Sequence, residues 1–283
     1  MAQTVRQVDR LVSGMPTNDG AGVRLSRIIG QPGMSQLDPF LLLDEFRSDV
    51  AGDYIAGFPE HPHRGFETVT YMLAGRMRHG DNQGNRGLLR PGSVQWMTAG
   101  RGILHSEMPE QEAGLMWGFR LWINLPASDK MIEPRYQDVE PEAIRTIERA
   151  DGSRIKIIAG HVDGIDGAVR SAATDPTYLD VELSAGSHFR HDPPADHAAF
   201  VYVFDGCAHV GEGAAATQIN RGDLAVLSTG DTIVVAAEST SATRLLLVAA
   251  KKLGEPIVRH GPFVMNTEAE IHQAIEDYSA CHF

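Results

Sequence analysis

The sequence predicts an all-β protein built as two β-barrels in tandem, closed by one short C-terminal helix. Three observations lead there. Short runs rich in Val, Ile, Leu, Phe and Tyr recur along the chain, ended by turn pairs such as Ala-Gly, Pro-Gly, Asp-Gly or Thr-Gly. No regular series of helices separates them, which argues for a sandwich or barrel and against a parallel α/β sheet. Two segments also repeat. TVTYMLAG, ending at Gly75, matches FVYVFDG, ending at Gly206, an offset of 131 residues; RPGSVQWMTAGRG matches NRGDLAVLSTGDT with Gly92 and Gly222 offset by 130. A shared offset argues for duplication, and one this long makes each copy a domain rather than a solenoid unit.

In chain order, strands are expected at 68–73, 94–97, 115–125 and 155–159, then at 200–204, 224–227, 232–236 and 244–250. Residues 140–150 are helix-compatible and run into Asp151-Gly152, a connector between halves. The expected domains are therefore 1–138 and 139–283. Residues 267–278 read as a helix: Thr267 and Glu270 form a capping box, and Ile271, Ala274, Ile275 and Tyr278 share one face. That face should pack on a barrel.

Composition narrows the function classes. The 283 residues are 42% hydrophobic and 22% charged, which excludes a disordered, collagenous or coiled-coil chain. A net charge of -12 argues against nucleic acid as a direct partner. No apolar run approaches the roughly 18 residues of a membrane helix. The start, MAQTVRQVDRLVSG, has no apolar h-region, so a cytoplasmic monomer is the expectation. Two Cys, Cys207 and Cys281, cannot build a disulfide framework or a zinc finger, whereas twelve His leave room for another kind of metal site.

The first copy contains His61-Pro62-His63 and, after TAGRGIL, His105-Ser106-Glu107. Residues i and i+2 of a strand share a face. If both pairs face the barrel interior, three imidazoles and one carboxylate converge, a set suited to iron, nickel, copper, manganese or zinc, with positions left open for substrate. A lone His-x-His is more often not a ligand; two such pairs beside glycine-rich turns reverse that balance. His79 is expected in a solvated loop, Arg64 and Arg101 are weak pocket candidates, and Phe66, Trp96 and Met97 are expected in the core. His188, His191 and His197 fall in HFRHDPPADH, which reads as a polar loop.

The spacing Gly57-x3-His61-x-His63-x3-Glu67-x7-Gly75 resembles the first cupin motif, and Gly92-x5-Thr98-x-Gly100-x4-His105 is similar to the second, with two extra residues before its histidine. HPHRGFETVTY, GNRGLLRPGSVQWMTAGRGILHSEMP, FRLWINLP and EPIVRHGPFVMNT resemble the pirin family of bicupins. The likeness runs from about Arg24 to Tyr136 and returns at the C-terminal tail; the middle of the second copy matches loosely. It implies two cupin barrels, each a double-stranded β-helix or jelly roll. It also implies one mononuclear metal in the N-terminal barrel, usually Fe(II) with other transition metals compatible, on His61, His63, His105 and Glu107. Glu67 is a ligand in many other cupins, but in pirins the carboxylate comes from the second motif, so Glu67 is expected to make hydrogen bonds instead.

The activity implied is quercetin 2,3-dioxygenase-like: a small aromatic flavonol and O2 as substrates, Glu107 as proton acceptor, and ring opening with release of carbon monoxide. Pirins are also linked to protein partners, including transcription factors and metabolic enzymes, with iron redox state as a switch; a regulatory protein is the alternative. In the second copy the offsets set Asp192, Pro194 and Ala198 opposite His61, His63 and Glu67, and Val235 and Ala237 opposite His105 and Glu107. Pro and Ala cannot ligate, so the second barrel is expected to bind no metal.

Overall fold

A computed structural model describes residues 3–170 and 173–283. The architecture is all-β with one helix, in two compact units. One unit comprises Met15–Pro141 with Leu253–Phe283; the other is Glu142–Lys252 with the described residues up to Gly14. The boundary lies close to the expected 138/139, but both chain ends depart from that division. Each end is captured by the barrel that is remote in sequence.

In the first unit a seven-stranded sheet runs in the order Arg135–Val139, Val94–Thr98, Phe66–Ala74, Met116–Asn124, Phe40–Ser48, Val23–Ile29, Met15–Asp19. A four-stranded sheet is ordered Phe58–His63, Ile103–Pro109, Met77–Asp81, Arg86–Leu89. The second unit repeats this plan. Its seven strands run Val8–Ser13, Asp223–Leu227, His197–Asp205, Thr243–Lys251, Thr177–Leu183, Arg154–Ala159, Arg145–Glu148, and its four run His188–His191, Ile233–Ala237, Cys207–Val210, Thr217–Asn220. Duplication is thus written in the strand order as well as in the offset. The edge beside Val94–Thr98 is supplied by Arg135–Val139, whereas the edge beside Asp223–Leu227 is supplied by the N-terminal strand Val8–Ser13.

Specific contacts hold the captured ends. Buried Arg6 donates to the carbonyls of Gly230, His197 and Pro194 at 3.0, 2.7 and 2.9 Å. At the other end, Lys130 Nζ donates to the carbonyls of Gly65 and Val264 and to Asn124 Oδ1, tying the tail to the first barrel. The helix spans Glu268–Ser279 with the expected capping box at Thr267 and Glu270, and buries Ile271 and Ala274 against Phe263 and Met265.

All eight expected strands are present. The helix expected at 140–150 is not: Pro141–Ala143 is a single 3-10 turn and Arg145–Glu148 is a strand paired with Arg154–Ala159. Ile144 is buried, and strand pairing overrides a helical pattern with too few apolar residues to form a stripe. No helix among the described residues is long and apolar enough to cross a membrane.

Candidate metal centre

His61 and His63 project from one face of the strand Phe58–His63, as the i, i+2 rule requires. The neighbouring strand Ile103–Pro109 runs antiparallel, and its register sets His105 directly opposite His61. The Nε2 atom of His61 lies 3.0 Å from Nε2 of His63 and 3.0 Å from Nε2 of His105. Ring centroids are 4.4 to 4.9 Å apart. Among the described residues this trio is the one cluster of at least three side chains with metal-ligand geometry.

His61 Nδ1 lies 2.8 Å from the carbonyl of Pro59, so the tautomer protonated at Nδ1 keeps Nε2 as a lone-pair donor. Burial lowers the pKa of all three rings: well below the usual range for His63 and to about 3 for His105. They are neutral, which is the ligating form. Three imidazole nitrogens in contact cannot all be satisfied by the protons they carry, and a cation among them would take up the lone pairs. The donor set therefore fits a transition-metal ion.

Glu107 stands apart from this trio. The register between its strand and Phe58–His63 slips between His105 and Glu107, while against Met77–Asp81 it continues unbroken and pairs Glu107 with His79. Its buried carboxylate accepts a hydrogen bond from Thr70 Oγ1 at 2.7 Å and a charge-assisted one from Arg120 Nη2. Burial alone would raise its pKa; the Arg120 guanidinium, with help from Thr70, outweighs that and holds it at about 2. Glu107 is thus ionised, and in this arrangement both oxygens are engaged.

Glu67 points elsewhere. Phe66 packs on His63 and Thr70 bonds Glu107, so even-numbered residues of Phe66–Ala74 face the cluster; Glu67 is on the other face, accepting from Thr98 Oγ1 at 2.7 Å. Parity shared with His61 carries no weight across separate strands. The expected hydrogen-bonding role is the one observed.

Arg120 escaped sequence reasoning. It lies opposite Thr70 in the register, its guanidinium 3.6 Å over the Phe58 ring. The available signal was a lone cation inside the apolar run GFRLWINL. His79, expected in solvent, is buried, stacked on Tyr136 and 3.1 Å from Asp138. Arg64 pairs with Asp277 and Arg101 with Glu133, and neither lines the cavity described next. Phe66, Trp96 and Met97 are fully buried, as expected.

A cavity of about 480 Å³ opens onto His61 and His63. Phe58 and Trp122 line it, as do Arg27, Arg120 and Arg259 together with Asp19 and Glu60. The volume is in the range of small-molecule sites.

In the second unit the counterparts differ from those a constant offset suggests. Ile103 pairs with His63 and Ile233 with His191, so His191 occupies the position of His63, and Phe189, opposite Val235, that of His61. Asp192 and Pro194 lie beyond the strand. Only two residues separate Phe58–His63 from Phe66–Ala74, against five between His188–His191 and His197–Asp205, and this longer loop breaks the offset. HFRH is accordingly a strand rather than a loop. Val235 and Ala237 stand at the positions of His105 and Glu107, as expected, and a lone histidine makes no site.

Comparison with known proteins agrees with this architecture. The Pirin family model matches residues 22–123 and the model of the pirin C-terminal cupin domain matches residues 178–283. A pirin-like protein of Caulobacter vibrioides is 47% identical over 280 residues, covering 99% of both chains. Human pirin is 42% identical over 274 residues, covering 96% of this chain and 92% of its own. The crystal structure of a quercetin 2,3-dioxygenase from Acinetobacter baumannii superposes with a TM-score of 0.89 at 32% identity, covering 99% of each chain. Two cupin barrels with a three-histidine cluster in the first, matched along nearly their whole length by such relatives, make this chain a member of the pirin family.

Proposed function

We propose that the chain is a metal-dependent dioxygenase with quercetin 2,3-dioxygenase-like activity, taking flavonol-type substrates and O2 at one metal ion in the N-terminal barrel. The observation that carries this reading is the convergence of three neutral imidazoles, two of which, His61 and His63, line an open cavity. The likeness to a solved quercetin 2,3-dioxygenase supports the substrate class.

His61, His63 and His105 are the ligands that fit without rearrangement, and Glu107 is proposed as the fourth. The ion, with Fe(II) our assignment, supplies Lewis acidity that stabilises a deprotonated hydroxyl and redox capacity toward dioxygen. The chain's own residues supply the rest. Phe58 and Trp122 line the cavity with their rings covered by the guanidiniums of Arg120 and Arg259, whose planar groups are surfaces on which a flat ring system can rest. Glu107 is ionised, and each of its oxygens, accepting once from Thr70 or Arg120, keeps a further lone pair with which it can ligate or accept a proton. Release from Arg120 would raise its proton affinity, because burial then dominates. The guanidinium so freed lines the cavity and can meet negative charge on the substrate. Oxygen consumption by metal-loaded protein with quercetin tests the reading; no turnover with iron, copper, nickel, manganese or cobalt would sink it.

A further inference from the structure

Three arginines line the cavity beside the histidine cluster, in a protein whose net charge is -12. Two of the three are neutralised. Arg27 is held by Asp44 through Nε and Nη2, both at 2.8 Å, and by Asp19 at 2.6 Å. Arg120 is paired with Glu107. Arg259, on the short strand Val258–His260, is different. Its Nε donates to the Gly261 carbonyl at 3.3 Å, and its Nη groups meet no acceptor among the described residues. The guanidinium lies 4.7 Å over the ring of Trp122, itself a cavity wall.

We propose that this cavity selects planar substrates carrying a negative charge, and that Arg259 is the residue that recognises that charge. An indole face holds a guanidinium flat while leaving its Nη fork open in the plane, the geometry that takes a carboxylate or a phenolate. A flat substrate whose anionic edge reaches Arg259 meets this open fork. Enclosure of the guanidinium, and then the nearby Arg27, hold the pKa of Arg259 below its ordinary value. A bound anion relieves that repulsion. Glu60, exposed at the rim, is the lining carboxylate outside these ion pairs and sets the opposing preference that Arg259 must outweigh.

The proposal deepens the dioxygenase reading by naming a substrate class for its site, but the test separates the two. Calorimetric titrations of 2-naphthoate and its uncharged isostere 2-naphthamide are compared on wild type and Arg259→Gln, each metal-loaded and chelator-treated. Wild type should bind the carboxylate about tenfold to a hundredfold more tightly than the amide, as a charge-assisted hydrogen bond provides. Arg259→Gln should abolish that preference while leaving the amide affinity within about twofold, with an unchanged thermal midpoint. The difference should persist after chelation. A preference that survives Arg259→Gln, one that disappears on chelation alone because the carboxylate sits on the metal, or no binding of either probe would overturn the proposal. Protein that takes up no metal yet keeps an Arg259-dependent preference would instead refute the dioxygenase reading and leave this one standing.

Discussion

Arg120→Gln tests the electrostatics of the site most directly. Glu107 is buried, and the guanidinium it loses is the dominant compensation for that burial. Holding a carboxylate at about 2 instead of its ordinary 4.5 corresponds to about 3 kcal/mol of stability at neutral pH. Because the folded pKa is depressed, this contribution is complete above pH 4.5 and is lost as pH falls toward 2. In Arg120→Gln the sign reverses. Burial then raises the folded pKa, so the ionised carboxylate destabilises the fold at pH 7 and acidification relieves it. The expected loss at pH 7 is about 3–5 kcal/mol, the usual result of stranding one member of a buried pair. All three tryptophans, Trp96, Trp117 and Trp122, lie in the first unit, so urea unfolding of chelator-treated protein followed by tryptophan fluorescence reports on that barrel. The gap between variant and wild type should narrow from pH 7 to pH 5, and adding Glu107→Gln should recover at least about 1 kcal/mol. A loss under about 1 kcal/mol, or one that ignores both pH and the second substitution, would refute the reasoning.

Elemental analysis of purified wild type should find one metal equivalent per chain, and His63→Ala should bring it close to none with the far-UV spectrum unchanged; two tightly bound equivalents would contradict a metal-free second barrel. Glu107→Ala should lower metal occupancy while Glu67→Ala retains it, since Glu67 faces away from the cluster; the opposite outcome would reassign the carboxylate. Gly65→Ala should cost about 3 kcal/mol or more, because a Cβ there, at φ +87°, would sit 2.0 Å from the Val264 carbonyl oxygen. Gly84→Ala, at φ +91° with open space around it, should cost only about 1 kcal/mol, and the two melting temperatures compare them directly.

What could be read from the sequence was whatever depends on short-range pattern. Apolar runs of four to eleven residues closed by turns located the strands, and the i, i+2 rule paired His61 with His63. The convergence of His105 on them follows once the two strands are neighbours, which the duplicated barrel implied. Features set by long-range pairing were not legible. Val8–Ser13 has a single buried residue, so nothing local marks it as an edge strand for Asp223–Leu227, more than two hundred residues away. His79 looked solvated because RHGDNQGNRG is rich in turn residues, yet Met77–Asp81 lies against Ile103–Pro109 and buries it. Arg120 was hidden for a related reason: a cation in an apolar strand has meaning only when its partner, Glu107 on another strand, is known.

The second barrel shows why these residues must be understood as one set. By register, Thr70 and Arg120 correspond to Val201 and Leu247, as His61, His105 and Glu107 correspond to Phe189, Val235 and Ala237. All five replacements belong to one continuous apolar cluster that fills the barrel. Retaining Glu107 without Arg120, or the reverse, would leave an uncompensated buried charge, worth several kcal/mol against folding. Exchanging the whole set for hydrophobes instead adds burial worth about 1.5–3 kcal/mol for each large side chain. Intermediates that lost only part of the polar set would be the least stable, so the two barrels come to rest at opposite ends: one keeps the whole polar set, the other fills the same positions with apolar side chains. His191, at the position of His63 and in no metal-ligating cluster among the described residues, is tolerated by burial as neutral imidazole, which is the direction its lowered pKa takes.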